Sequence, residues 1–365
     1  MTHAIDAFSQ SYAEARAKFR TTAAAAGATL TSFVNPEHGP GGETLATDVA
    51  RFGPDDAAGV MIVNSGTHGA EGFCGSGCQI ALMADGWHRR LPRGTALVLS
   101  HAINPYGFAW LRRVTEENVD LNRNFGGFNE SGAPFPTNSG YAEIHDWLLP
   151  ADWDGPARAA ADAKLAQFKA ERGERGYRTA RGSGQYTHPD GMFFGGTGPT
   201  WANRTFQAMI QSQLAQAKRF CFIDVHTGLG PRGYGEPSYV GRETEEGFAE
   251  AQAWLGPDVT WLQRGQGQSQ PLNGHIGLPF MPYHARGVSG PVLGLEFGTH
   301  PVEIVGDALR AEHWLHRKGI TAGPQAERIK RALRDAFYVD EDDWKAQVVA
   351  RTDELVGKAL AGLAG

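Results

Sequence analysis

The sequence predicts an α/β protein, a three-layer α/β/α sandwich around a mixed, mostly parallel twisted sheet. Two observations predict this class. Short apolar segments of strand length alternate with longer segments whose apolar residues recur at helical spacing. The apolar segments end in glycine- or proline-containing turns, as in GVMIVNSG at 59–66. This alternation is typical of strands that are covered by helices on both faces of a sheet.

The first predicted element is an amphipathic helix, because Ala, Phe and Tyr alternate with charged residues in MTHAIDAFSQSYAEARAKFR. Further helices are predicted at 73–86, at 157–172, from GGTGPT to about 218, and as two or three helices in the tail. Strands are predicted at 30–34, 44–52, 59–66, 95–103, 219–230 and 291–300. We expect residues 1–365 to form a single domain with an inserted segment at about 130–205 and a C-terminal helical tail from about 302.

Composition excludes several classes of partner. The 365 residues are 41% hydrophobic and 20% charged with a net charge of −6, and no basic stripe predicts a nucleic-acid partner. No apolar stretch is long enough to span a bilayer, and the N-terminus lacks the apolar region of a signal peptide. The three cysteines Cys74, Cys78 and Cys221 favour reduced thiols. We therefore expect a cytoplasmic protein without membrane association, and leave its oligomeric state open.

Three predicted strand ends carry residues that commonly bind metals. His68 and Glu71 follow the strand at 59–66, His226 ends the strand at 219–230, and Glu296 lies in the last strand. Sites in open α/β sheets form beyond the carboxyl ends of strands. A His-x-x-Glu pair on a glycine-rich turn and a third ligand from His226 would supply the two imidazoles and one carboxylate of a catalytic zinc site. Glu296 would then be the general base that deprotonates the attacking water.

Each of these residues also has an ordinary structural explanation. A histidine and a glutamate fall three positions apart by chance in many chains. His226 alone could be a hydrogen-bonded core histidine, and Glu296, between Leu295 and Phe297, could be a solvated strand residue. The full set is much more specific than its members.

The segment INPYGFAWLRRVTEENVDLNRNF at 103–125 lies in the sequence between the His68–Glu71 pair and His226, and it contains arginines and an asparagine. Asn122 and Arg123 are suited to binding a carboxylate through forked hydrogen bonds. Arg112 and Arg113 supply cations that could stabilise an oxyanion beside the metal. The structural alternative is a polar loop whose arginine forms a salt bridge.

These motifs resemble, in their order and roughly in their spacing, the M14 zinc carboxypeptidase family and in particular its DUF2817 branch. The residues that carry the resemblance are HxxE at 68–71, NPxG, the arginines, DLNRNF, the later His226, and Glu296 in the context EFGT. The related aspartoacylase/succinylglutamate desuccinylase branch shares HxxE and DLNR-F. The motifs span residues 64–300. The resemblance implies one zinc ion on His68, Glu71 and His226, with Glu296 as general base and acid.

The resemblance also implies roles for the residues between the metal ligands. Arg113, in preference to Arg112, would polarise the scissile carbonyl, and Arg112 is a candidate substrate-binding residue. Asn122 and Arg123 would bind the terminal carboxylate of the substrate. The implied partner is a small molecule or peptide with a free carboxylate.

Two carboxylates are candidates for orienting the ligand imidazoles. Asp120 matches a family position that hydrogen-bonds a histidine ligand, and Asp224 lies two residues before the second histidine ligand on the same strand face. The residue that caps the substrate is left open between Tyr283, His275 and Tyr234. The segment 130–205 has no counterpart in the family and is expected to shape the substrate pocket.

The sequence thus predicts a zinc-dependent hydrolase that cleaves an amide or peptide bond next to a free carboxylate. Two alternatives remain open at this point. One is a deacylase that acts on N-acyl amino acids. The other is a metal-binding module without catalytic activity, although a structural zinc site needs neither Glu296 nor the arginines.

Overall fold

The computed structural model describes residues 5–126 and 136–365. The start of the first predicted helix (1–4) and of the predicted insertion (130–135) lies outside the described residues. Within the described part the chain forms one eight-stranded sheet with helices on its faces, which confirms the predicted α/β class. The strands are β1 (Thr29–His38), β2 (Thr44–Phe52), β3 (Gly59–Ser65), β4 (Thr95–His101), β5 (Arg219–Arg232), β6 (Gly235–Tyr239), β7 (Thr260–Trp261) and β8 (Val292–Gly298).

Helices fill the connections between these strands and the C-terminal part of the chain. They are α1 (Tyr12–Ala25), α2 (Gly72–Ala84), α3 (Pro105–Ala109), α4 (Ser139–Leu148), α5 (Pro156–Gly182), α6 (Trp201–Gln213), α7 (Glu245–Leu255), α8 (Met281–Ala285), α9 (Val302–Arg317), α10 (Pro324–Phe337) and α11 (Asp342–Ala364). In the part of the chain that the structure describes, none of the helices has the length and apolar character needed to cross a membrane.

The sheet has the strand order β1-β2-β4-β3-β5-β8-β6-β7. Its four central strands, β4, β3, β5 and β8, run parallel to one another. Antiparallel pairs of β2 with β4 and of β6 with β8 extend the sheet on both sides. Every residue of β3 and β4 is buried, as expected for central parallel strands that are covered on both faces.

The side chains of the sheet pack into two cores. On one face, α1, α2 and α11 cover residues such as Met61, Leu97 and Ile223. On the other face, α6 and the segment around Phe280 cover Ile62. Helices α4, α5, α9 and α10 form a third apolar cluster, so the inserted segment packs on the C-terminal helices.

The register of the parallel strands decides where the polar side chains meet. His226 on β5 lies opposite Glu296 on β8, and Asn64 on β3 lies opposite Asp224 on β5. Because parallel strands end at the same edge of a sheet, the predicted ligands and the predicted base come to one place.

Some elements differ from the prediction. Strand β1 extends through the proline-containing NPEH, and the turn follows at 39–43. Strands β6 and β7 and helix α7 lie in a region to which the sequence assigned no element. The segment GEPSY of β6 contains glycine and proline, which are disfavoured in strands, and β6 forms through its antiparallel pairing with β8.

The turn that carries His68 and Glu71 depends on close backbone approach. It is a short 3₁₀ turn, Gly69–Glu71, that leads directly into α2. A Cβ atom on Gly69 would lie 1.9 Å from the carbonyl carbon of Gly107 and 2.2 Å from the amide nitrogen of Phe108. Glycine at this position therefore lets the ligand turn pack directly against the backbone of α3.

Gly69→Ala is expected to lower the free energy of unfolding by about 2 kcal/mol or more, because the clash is with backbone that cannot rotate away. Urea unfolding measures this loss. Gly198→Ala is the matched control, since a Cβ there meets open space. Equal stability of the two variants would contradict the close approach.

Candidate functional site

The predicted metal ligands converge in the structure. Glu71 Oε1 lies 2.8 Å from His68 Nδ1, and Glu71 Oε2 lies 3.0 Å from His226 Nδ1. The two Nδ1 atoms are 3.2 Å apart. All three side chains are buried, and their ligand atoms lie within 4.8 Å of one another. Two imidazole nitrogens and a carboxylate thus face a common point.

Carboxylates contact the opposite ring nitrogens. Asp120 Oδ1 lies 3.2 Å from His68 Nε2, and Asp224 Oδ2 lies 2.7 Å from His226 Nε2. A proton on each Nε2 that is donated to these carboxylates leaves the lone pair of each Nδ1 free. Two lone pairs and a carboxylate at this distance suit a bound cation, so the residues fit the predicted metal.

The electrostatics of the centre also favour a cation. Burial by itself would lower the pKa of His226, but the carboxylates of Asp224 and Glu71 outweigh it and hold the pKa well above its ordinary value. Burial would raise the pKa of Glu71, but the two neighbouring histidines hold it below its ordinary value. The centre therefore attracts positive charge.

Arg113 lies against this centre. Its Nε donates to Asp120 Oδ2 at 2.9 Å and its Nη1 donates to Glu71 Oε1 at 3.0 Å. Its Nη2 is 2.7 Å from His68 Nε2. One nitrogen cannot accept from Arg113 and also donate to Asp120, so the tautomer that frees Nδ1 for a cation also frees Nη2 of Arg113 for another acceptor.

Glu296 faces the same pocket and is partly exposed to it. Its Oε1 accepts a hydrogen bond of 3.0 Å from the amide of Leu229. Burial and then the charge of Glu71 raise the pKa of Glu296 to about 8. A carboxyl group of this kind is able both to accept and to return a proton near neutral pH.

Asn122 and Arg123 line the pocket beside the centre. Asn122 Oδ1 accepts from the amide of Ile276 at 2.9 Å, which directs its amide group. Arg123 donates to the carbonyl oxygens of Asn122 and Gly182 through Nη1, Nε and Nη2. Three of the five N–H groups of a guanidinium are used in this way, so two remain for a ligand.

Arg112 requires a correction. The sequence suggested that it binds substrate, but its side chain is 2% exposed and does not line the pocket. Its Nε donates to Glu312 Oε1 at 2.8 Å and its Nη2 donates to Asn118 Oδ1 at 2.8 Å. Lys330 Nζ also donates to Glu312 Oε1, at 2.7 Å. Arg112 thus connects the loop that carries Arg113 to Glu312 on α9, which also binds Lys330 on α10.

Tyr283 also requires a correction. It lies on α8 in the apolar cluster with α6, beneath the guanidinium of Arg286, and does not line the pocket. His275 is buried, with Nδ1 accepting from the amide of Gly277, and Tyr234 is 44% exposed on the turn between β5 and β6. Among the described residues, no tyrosine lines the pocket.

The inserted segment supplies walls that the sequence could not identify by residue. The pocket is open to solvent, and residues of the inserted segment form part of its lining. Phe193, whose φ is +54°, packs its ring 5.4 Å from the guanidinium of Arg113 and 5.7 Å from that of Arg123. Arg178 and Arg181 of α5 also line the pocket. In the sequence, the one indication of this wall is the set of glycines in the segment GMFFGG around Phe193.

Glu312→Gln is expected to lower the free energy of unfolding at pH 7 by roughly 3 kcal/mol, because Arg112 and Lys330 lose the carboxylate that compensates their burial. Burial would raise the pKa of Glu312, but Arg112 and Lys330 hold it below its ordinary value. The stabilisation is therefore fully present above the unfolded pKa of about 4.3 and is lost as the pH falls further.

Chemical unfolding at pH 7 and at pH 3 measures this difference, and the gap between the native protein and Glu312→Gln should narrow at pH 3. The exposed Glu243→Gln serves as the control. A gap that stays constant between the two pH values would contradict the assignment.

Comparisons with known proteins agree with this architecture. A family described as a protein of unknown function (DUF2817) matches residues 8–351. No curated protein matches the chain significantly. The structure of carboxypeptidase A from Helicoverpa armigera is similar, with a TM-score of 0.52 and 13% identity over 97% of this chain and 73% of that one. This similarity supports the fold.

Two further solved structures align with lower scores. Bovine thrombin-activatable fibrinolysis inhibitor has a TM-score of 0.44 and 9% identity over 94% of this chain and 96% of that one. Succinylglutamate desuccinylase from Chromobacterium violaceum has a TM-score of 0.36 and 15% identity over 87% and 72%, respectively. The family match covers nearly the whole chain and confirms the resemblance seen in the motifs: the chain belongs to the DUF2817 family.

Proposed function

We propose that this protein is a zinc-dependent hydrolase that cleaves an amide or peptide bond next to a free carboxylate. The observation that carries the proposal is the convergence of His68, Glu71 and His226 on one point of a pocket that also contains Glu296. Structural zinc sites have four protein ligands, whereas catalytic sites have three and leave one position open. Three ligands beside a carboxyl group with a raised pKa correspond to the catalytic type.

His68, Glu71 and His226 would hold the metal, with Asp120 and Asp224 orienting the two imidazoles. When bound, zinc would polarise the scissile carbonyl and increase the acidity of water. The donor set of two nitrogens and one oxygen is common for zinc in hydrolases.

Glu296 acts in this proposal as general base and then as general acid. It takes a proton from the attacking water and returns it to the leaving amine. Its hydrogen bond from the Leu229 amide holds one carboxylate oxygen, so the other is free to face the reacting atoms. The position of Glu296 opposite His226 in the register keeps this transfer beside the ligands.

Arg113 donates hydrogen bonds to the oxygen on which negative charge develops. Its Nη2 becomes available once His68 Nε2 carries a proton for Asp120. Such a donor stabilises the transition state more than the substrate, because the charge is larger there.

Asn122 and Arg123 bind the free carboxylate of the substrate. The remaining N–H groups of Arg123 and the amide group of Asn122 offer donors toward the pocket.

The first alternative is an N-acyl amino acid deacylase. It uses the same ligands, base and carboxylate contact but accepts only a short acyl group. Release of a C-terminal residue from longer peptides would favour the peptidase. Cleavage restricted to acylated single amino acids would favour the deacylase. The second alternative, a metal-binding module without catalysis, is disfavoured because Glu296 and Arg113 both face the pocket.

His226→Ala is expected to reduce bound zinc from about one ion per chain to a small fraction, because two ligands hold the metal far less tightly than three. Elemental analysis after dialysis against metal-free buffer measures the zinc bound per chain. His38→Ala, on an exposed part of β1, is the control and should keep its zinc. Full zinc retention by His226→Ala would contradict the ligand assignment.

Glu296→Gln is expected to retain zinc. Its kcat for an N-acetylated dipeptide with a free C-terminal carboxylate should fall at least about a hundredfold, because the glutamine side chain cannot accept the proton. Steady-state hydrolysis and metal content are measured together. Glu243→Gln should behave as the native protein. Full turnover by the zinc-loaded Glu296→Gln protein would exclude the proposed mechanism.

A further inference from the structure

Helix α5 directs two arginines into the pocket that the mechanism does not use. Arg178 and Arg181 lie one helical turn apart near the C-terminal end of α5, and both line the pocket together with Glu296 and Arg123. Residues three apart share one face of a helix, so the two guanidiniums approach the pocket from the same side.

Three other cations of the same helix pair with carboxylates. Arg158 pairs with Asp162 at 2.9 Å, Lys169 pairs with Glu174 at 2.5 Å, and Arg172 pairs with Glu143 at 3.5 Å. Within residues 5–126 and 136–365, Arg181 has no hydrogen bond or ion pair, and Arg178 has a hydrogen bond to the Gln268 carbonyl but no ion pair. Lys164 and Arg175 of α5 likewise have no carboxylate partner among the described residues, but both are exposed to solvent, whereas Arg178 and Arg181 are half-buried and line the pocket.

The Arg181 side chain nevertheless has a defined position. Its guanidinium lies 5.3 Å from the centre of the Tyr177 ring. Gly306 of α9 is also close, since a Cβ atom there would lie 2.8 Å from Arg181 Nη1. Glycine is disfavoured inside helices, so this residue leaves space for the guanidinium at a cost to α9.

Two of the four arginines that line the pocket have no carboxylate partner among the described residues, because Asp120, behind the lining, pairs with Arg113 at 2.9 Å and with Arg123 at 3.8 Å. The lining contains four arginines, Arg113, Arg123, Arg178 and Arg181, and two carboxylates, Glu71 and Glu296, whereas the whole chain has a net charge of −6. Glu71 is already paired with the histidines and with Arg113. A ligand with one carboxylate, bound at Asn122 and Arg123, would leave Arg178 and Arg181 without a counter-charge.

We propose that Arg181, assisted by Arg178, forms a second anion-binding position, and that the preferred substrate bears an acidic side chain in addition to its free carboxylate. This inference rests on the proposed hydrolytic function and specifies its substrate class. A carboxylate is the chemistry that matches an unpaired guanidinium with planar, forked donors. The position belongs to α5, so specificity for the second charge comes from the inserted segment.

Matched substrates that differ only in charge test the proposal. N-acetyl-Glu-Leu is compared with N-acetyl-Gln-Leu, which probes an acidic group on the acyl side of the bond. N-acetyl-Ala-Glu is compared with N-acetyl-Ala-Gln, which probes the leaving-group side. For the zinc-loaded protein we expect kcat/KM to favour the acidic member of one pair by about tenfold, the usual effect of a charge-assisted hydrogen bond.

Arg181→Gln should reduce this preference to about twofold or less, and the Arg178→Gln/Arg181→Gln double variant should abolish it. Arg181→Lys keeps the charge and should retain part of the preference. Arg172→Gln, on the exposed part of α5, is the matched control and should keep the full preference. Hydrolysis of the neutral substrates should change little in all four variants, which separates charge recognition from loss of folding.

Two outcomes would overturn the proposal: equal kcat/KM within both substrate pairs, or an acidic preference that persists in the double variant. If no dipeptide is cleaved, the hydrolytic function fails, and the anion position is tested by binding. Calorimetry of the zinc-loaded protein should then give about tenfold tighter binding of N-acetyl-Glu than of N-acetyl-Gln, lost in Arg181→Gln. Equal affinities would overturn the anion position as well.

Discussion

The site depends on the hydrogen bonds and ion pairs that the buried carboxylate of Glu71 forms. Its Oε1 contacts His68 and Arg113, and its Oε2 contacts His226 and the amide of Thr227. A buried charge is costly unless it is fully hydrogen-bonded. The ligand turn after β3, the end of β5 and the loop that carries Arg113 must therefore all be in place together. The Glu71 side chain thus links three separate segments of the chain at one site.

The partners of the imidazoles extend this constraint outward. Asp224 accepts hydrogen bonds from Asn64 and Thr67 in addition to its contact with His226, so its own position is set by β3. Asp120 contacts both His68 and Arg113. The same carboxylate therefore governs the tautomer of a ligand and the availability of the arginine beside it. In the proposed mechanism, the position of one proton on His68 therefore links metal binding to the availability of Arg113.

The candidate metal ligands and the outer wall of the pocket come from different parts of the chain. The ligands and Glu296 lie at the ends of central strands, whereas Phe193, Arg178 and Arg181 come from the inserted segment. That segment packs with α9 and α10 in a separate apolar cluster. Phe193 holds a left-handed backbone conformation that is unfavourable for a bulky residue, which its packing against two guanidiniums offsets.

Local patterns were sufficient to predict the central strands, the glycine turn and the residues that converge there, because buried parallel strands are continuous apolar runs and their ends share one edge. Strand β6 was not predictable, since its residues are poor strand formers and its pairing comes from β8. Arg112 and Arg113 are adjacent and chemically identical, so the sequence alone could not separate them. The tertiary structure decided between them: Leu111 takes a φ of +49°, Arg112 turns to Glu312 on α9, and Arg113 turns to Asp120 and Glu71. Spacing determines which residue types reach a strand end, but the direction of a loop side chain depends on partners far away in the chain.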